Sequence, residues 1–191
     1  MEPPKIDPNQ IPNLAELKAF CDAGGKPDFL FFWGHRPRQV GVIDKSCLSN
    51  WYPAGFEAEG HWYFTSEHYL MAQKAWLFGD LHAFEQIRLA AEPAEAKDWG
   101  RKIKGFDESL WLMHRWEFNL RANLEKFSQN PELKTFLLGT GTQVLVEASP
   151  VDAIWGMGLA ANDTRAHHPQ QWKGLNLLGF ALMEVRSRLC L

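Results

Sequence analysis

Thr65-Ser66-Glu67-His68-Tyr69-Leu70-Met71-Ala72-Gln73-Lys74 is the stretch around which the rest of the chain is read. Thr65 or Ser66 can accept a bond from a free backbone N–H, and Glu67 in the first turn suits the positive end of a helix dipole, so a helix starts here. Within it Glu67, Leu70, Met71 and Lys74 fall at i, i+3, i+4 and i+7, one stripe whose apolar members should face inward. The Cα atoms of Glu67 and Lys74 would stand about 10 Å apart along the axis, at roughly 1.5 Å per residue. That is too far for an ordinary ion pair and close enough to flank a small group. Partial burial raises a carboxyl pKa and lowers an amine pKa, which brings both groups toward acid–base or nucleophilic work near neutrality. A plainer arrangement suits the same ten residues: Glu67 complements the dipole and Lys74 reaches out to water.

With 191 residues, 46% of them hydrophobic, the chain can bury one good core and is expected to form one domain. No stretch approaches the roughly 18 apolar residues of a membrane helix, and the Met1-Glu2-Pro3-Pro4-Lys5 start has no apolar signal core, so a cytoplasmic protein is expected. Cys21, Cys47 and Cys190 lack metal-type spacing and read as reduced thiols. A net charge of −3 gives no electrostatic case for gripping a long duplex, although a nucleotide or a nucleic-acid end is compatible with it. Nine tryptophans leave some available to stack on a planar ring.

Outward from the Glu67 helix, the patterns predict a helix from Leu14 to Cys21, a buried strand over Asp28–Trp33, and a hairpin of Phe56–Ala58 with His61–Phe64 across Glu59-Gly60. Further helices are predicted over Asp80–Ala90, Pro93–Lys102, Asp107–Phe127 and Pro131–Leu138, and a strand over Gln143–Ala148. On the Asp107 helix, Trp111, Arg115, Phe118 and Ala122 share a face while His114 and Glu117 sit on another. Arg101 beside Gly100 serves either the helix dipole or a phosphate. Ser49-Asn50 suits an Asx or ST turn or a sugar hydroxyl. Asp152-Ala153-Ile154-Trp155-Gly156 forms a loop after a strand, a common place for chemistry, although Asp152 can equally start a turn. Residues 160 to 173 read as a mobile surface loop, whose His167 and His168 suggest a metal only faintly. A terminal helix runs from Phe180 to Leu189. P-loop, GxGxxG, HExxH and GxSxG signatures are absent.

The ordered set Ser66-Glu67-His68-Tyr69 with Gln73-Lys74, Gly100-Arg101, Val146-Glu147, Asp152 with Trp155-Gly156, and Gly174, Asn176 and Leu178-Gly179 resembles the NADAR (YbiA-like) family over residues 28 to 190. The resemblance implies a compact α+β fold, mostly helical with a small β component. It assigns residues 25–191 to the domain and leaves 1–24 as an N-terminal extension. It also implies N-glycosidase activity without metal or other cofactor, on phosphoribosylamino-pyrimidine intermediates of riboflavin synthesis or on ADP-ribose attached to guanine in nucleic acid. Carried over by motif, Glu67, Lys74, Trp111 and Asp152 form the catalytic centre, with Ser49, Asn50, Arg101, Trp155, Gly156 and Asn176 around the substrate.

Both substrate groups carry a ribose C1 bonded to an exocyclic amine nitrogen. Glu67 is the candidate acid/base, and a desolvated Lys74 amine can add at C1 as a transient Schiff base. A direct route, with water activated by one carboxylate and the developing cation stabilised by another, leaves Lys74 only binding. A sensor module that binds ADP-ribose or another nucleotide without cleaving it is the alternative. Neither the physiological glycoside nor the oligomeric state, a monomer included, follows from the residues.

Overall fold

A computed structural model describes residues 11–190 of the chain. Among them are seven α-helices and four short strands, a mostly helical α+β arrangement. In chain order these are α1 (Leu14–Asp22), β1 (Phe29–Phe32), β2 (Phe56–Ala58), β3 (His61–Tyr63), α2 (Ser66–Leu77), α3 (Leu81–Leu89) and α4 (Pro93–Arg101). They continue with α5 (Glu108–Gln129), α6 (Pro131–Gly139), β4 (Val144–Glu147) and α7 (Leu177–Leu189). No helix among the described residues is long and apolar enough to cross a membrane.

α2 begins where its sequence says it should, with Thr65 in extended conformation and its hydroxyl accepting from His68 N–H at 3.3 Å. Every residue from Ser66 to Ala72 is buried. The first two turns of the helix are therefore enclosed all round, and α2 packs on α3, α4 and α5. Enclosure of polar residues is made tolerable by bonds: the His68 ring meets Thr65 Oγ1 at 2.8 Å and the Ala90 carbonyl at 3.1 Å. Upstream, Glu59 and Gly60 both take positive φ, 47° and 73°, as a tight two-residue hairpin turn between β2 and β3 requires.

Two apolar clusters build the interior. One gathers α1, β1, β4 and α7 with part of α5, and the other gathers the hairpin with α2, α3 and α4. Trp155 packs against both, so the loop after β4 lies on their seam. β1 pairs in parallel with β4, Phe29 opposite Val144 through Phe32 opposite Glu147. The sheet stops there, which is why only Phe32 of β1 is buried and the expected fully buried strand is half-covered instead. α1 lies on the same core through Leu17 and Phe20, within the segment expected as an extension; residues 1–10 lie outside the described part.

Two further expectations change. Residues 160–173 are fixed by packing: Trp172 is buried, its indole N–H donating to the Ala166 carbonyl at 2.8 Å, and Gln170 bonds Asp22 of α1. Polar composition concealed a buried indole. α7 starts at Leu177, three residues early, because Asn176 ahead of it adopts a left-handed conformation (φ 54°) that turns the chain into the helix.

Candidate active site

Glu67 is 4% exposed, with a chemically mixed surrounding. Its backbone N–H donates to the Asn50 carbonyl at 2.9 Å, which ties the first turn of α2 to the 45–50 segment. Burial pushes its carboxyl pKa up and Asp152 adds to the rise, while Lys97, the Trp51 indole N–H and Arg101 oppose it. The cation that matters most to Glu67 is thus Lys97 of α4. Lys74 does feel Glu67, but weakly: burial, which lowers its pKa, outweighs the carboxylate. The Lys74 ammonium bonds the Gly100 carbonyl at 2.8 Å and lies over the Phe106 ring at 4.4 Å and the Trp111 ring at 5.5 Å. An amine between two aromatic faces, with one carbonyl acceptor, is partly desolvated yet still reachable.

Asp152 reaches the site from the loop after β4, where its Oδ1 accepts from the N–H groups of Ile154 and Trp155, each at 2.8 Å. It is both the start of a turn and a neighbour of Glu67. Behind it, Gly156 and Gly174 allow backbones to touch. A Cβ on Gly174 would sit 2.3 Å from the Gly156 carbonyl oxygen, and one on Gly156 would sit 2.8 Å from that of Glu147. Asn176 is fully buried and braces β4, its amide donating to the Leu145 carbonyl and its Oδ1 accepting from Glu147 N–H, both at 2.9 Å.

The remaining expected substrate residues hold the frame or the rim. Ser49 Oγ accepts from Trp51 N–H at 3.2 Å, an ST turn, and the Asn50 amide bonds Asn119 and Asn123 of α5. Arg101 is exposed and paired with Asp98 at 2.8 Å. Such a surface pair is worth about 0–1 kcal/mol, so an incoming phosphate can take Asp98's place. On α5 the His114 ring stacks on Phe118 at 5.8 Å, joining the Trp111 stripe rather than the separate face expected for it, since i+4 neighbours adjoin as readily as i+7. His167 packs edge-on against Phe29 and Phe31. Among the described residues no three His, Cys, Asp or Glu side chains converge at metal-binding spacing.

Three residues that matter here were not candidates from sequence. Lys97 carries no local signal, Trp51 only its place beside Ser49-Asn50, and Glu147 its place in the Val146-Glu147 motif of the family resemblance and at the strand end that leads into the Asp152 loop. Trp51 also walls a cavity of about 620 Å³, with His35, Arg36, Trp62, Phe64 and Glu92 on its other sides. The indole therefore stands between that cavity and Glu67.

The NADAR domain model matches residues 31–190. The chain belongs to the NADAR family. It is 39% identical to N-glycosidase R617 of Acanthamoeba polyphaga mimivirus over 83% of this chain and 95% of that protein. The NMR structure of the Escherichia coli protein YbiA superposes with a TM-score of 0.69 and 30% identity over 86% of each chain. A segment of a maize chloroplastic riboflavin biosynthesis protein, PYRR, is 38% identical over 65% of this chain and 19% of that protein. This NADAR chain thus shares the YbiA fold, and its buried Glu67 lies inside the matched region.

Proposed function

We propose that this NADAR protein is an N-glycosidase that hydrolyses the bond between a ribose C1 and an exocyclic amine nitrogen. Its substrates on this reading are ADP-ribosylated guanine in nucleic acid, phosphoribosylamino-pyrimidine intermediates of riboflavin synthesis, or both. Family membership and the N-glycosidase relatives support the reaction class. The likeness to a riboflavin biosynthesis protein supports the second substrate. The observation that carries the chemistry is that a buried carboxyl and a desolvated amine, Glu67 and Lys74, come from one helix into a site that Asp152 shares.

On this reading ribose lies across the seam beside Glu67, which handles protons at the anomeric centre. Lys74 adds through its neutral amine, a form that its lowered pKa makes accessible. Asp152 and Glu67 stabilise positive charge as the C1–N bond breaks. Arg101 at the rim takes the phosphate or pyrophosphate, and Trp111 and Trp155 limit water around the sugar. The cavity beside Trp51 is of ordinary ligand size and offers flat walls to the departing base.

The test is a side-by-side assay on a guanine-ADP-ribosylated oligonucleotide and on the phosphoribosylamino-pyrimidine intermediate, with Glu67→Gln and Lys74→Ala as controls. Turnover of at least one, lost in Glu67→Gln, is expected. Tight binding of both without turnover, unchanged in Glu67→Gln, would mark a sensor module instead.

A further inference from the structure

Resting on the N-glycosidase reading, we propose that Glu147 is the residue that delivers a proton to the departing amine nitrogen, leaving Glu67 to act as the base. The two glutamates differ in what surrounds them. Glu67 stands in the first turn of α2, where the helix dipole favours an anion, and has the Trp51 indole N–H, Lys97 and Arg101 to stabilise its charge. Glu147 ends β4, and its Oε2 is buried with no hydrogen-bond partner. It faces two like charges, Glu67 from α2 and Asp152 from the following loop, against the single cation Lys97 from α4. A carboxyl with one buried, unpaired oxygen and two carboxylate neighbours favours its protonated form. Its pKa is pushed up to about 8, by burial first and then by Asp152 and Glu67. Burial raises the Glu67 pKa too, but Glu67 has three groups that stabilise its charge where Glu147 has one, and that difference in partners divides the acid from the base.

The backbone of Glu147 is held on both sides. Asn176 holds its N–H, and its carbonyl accepts from Met157 N–H at 2.9 Å, so β4 and the Asp152 loop set the side chain's origin rigidly. In the step proposed, the C1–N bond breaks with its electron pair going to nitrogen, and that nitrogen takes the proton from the Glu147 carboxyl. The nucleophile, water or the Lys74 amine, bonds C1 and passes its proton to the Glu67 carboxylate. After water has released the sugar, the proton on Glu67 returns to Glu147, and the balance is that of hydrolysis.

A leaving group that needs no proton separates the roles. Glu147→Gln is expected to lose about 100-fold or more in kcat on the ADP-ribosylated oligonucleotide or the phosphoribosylamino-pyrimidine, whichever the unmodified protein cleaves. On the matching nitrophenyl glycoside it should keep activity within a few-fold. The alkaline limb of kcat/KM should disappear in the variant. Glu67→Gln should be impaired on both leaving groups. Equal losses of Glu147→Gln on both, or an alkaline limb that persists, would overturn the assignment. Carboxyl carbon NMR of the unmodified, glutamate-labelled protein gives a readout free of folding differences: a Glu147 titration in the ordinary carboxylate range would also overturn it. Failure of the unmodified protein to cleave any of these glycosides would instead sink the N-glycosidase reading, and this inference with it.

Discussion

The Asn50 carbonyl accepts the backbone N–H of Glu67, and Asn50 is itself held by α5, so the 45–50 segment and the proposed reaction centre are one mechanical unit. Lys126, fully buried on α5, clamps the same segment by donating to the carbonyls of Cys47 at 2.6 Å and Ser49 at 2.8 Å. Lys126→Met keeps the bulk of the stem but strands the Cys47 carbonyl, while the Ser49 carbonyl keeps the Tyr52 N–H at 3.1 Å. It should lower stability by about 1–3 kcal/mol, the cost of one buried acceptor left without a partner. Denaturant unfolding measures this, and kcat should fall along with it because the 45–50 segment that holds the Glu67 N–H loosens.

The same lysine gives a pH signature in stability. Burial lowers its folded-state pKa to about 7, below the unfolded value, so between that pH and the ordinary lysine range the unfolded chain binds the extra proton. Stability from this group should therefore rise with pH across that window. A neutral amine still has two hydrogens for its two carbonyls. Thermal melts from pH 7 upward should show a shallower upward component in Lys126→Met than in the unmodified protein.

Gly100 is where α4 comes against α2, and its carbonyl holds Lys74. A Cβ there would sit 2.2 Å from Met71 Sδ and 3.3 Å from Met71 Cβ, so the methionine tip alone cannot relieve the clash. Gly100→Ala should cost about 1–3 kcal/mol by overpacking. It should also free the Lys74 amine from its acceptor and reduce kcat more than KM. Gly100→Ala with Met71→Ala should recover stability, read by thermal unfolding.

Lys74→Arg separates binding from nucleophilic attack. Arginine retains the charge but does not deprotonate, so kcat should fall by about 100-fold or more if the amine attacks C1. The part of the pH profile that reports deprotonation of this lysine, whose pKa burial has lowered, should vanish. Borohydride reduction during turnover should add the ribosyl mass to Lys74 of the unmodified protein and none to the variant. Full activity in Lys74→Arg with no adduct would leave the direct water route.

Asn176→Asp tests the brace under β4. The amide that donates to the Leu145 carbonyl becomes an oxygen facing an oxygen, while the bond from Glu147 N–H survives. A buried acceptor left without its donor costs about 1–3 kcal/mol, and more where charge is involved. Denaturant unfolding should show at least that loss. The pH at which activity declines should shift as well, because Glu147 acquires another acid behind it.

Much of this molecule was readable along the chain. Thr65, Asp80 and Asp107 each cap the helix they precede, Pro93 and Pro131 each open one, and Glu59-Gly60 makes the turn that local chemistry demands. These signals act over three or four residues, and a linear reading captures them. The positions of Glu67 and Lys74 on one buried helix follow from the same short-range rules. Hidden from it were the parallel pairing of β1 with β4, the packing of residues 160–173 around Trp172, and the meeting of Lys97, Trp51 and Glu147 beside Glu67. Those residues lie on different elements, and nothing in their neighbours' spacing records the encounter. Which carboxyl keeps a proton depends on burial and on charges brought from far along the chain. Helix starts and turns are local equilibria of the backbone, set by the sequence itself, whereas the electrostatics of Glu67 and Glu147 exist only once α2, α4 and β4 have closed over the same space.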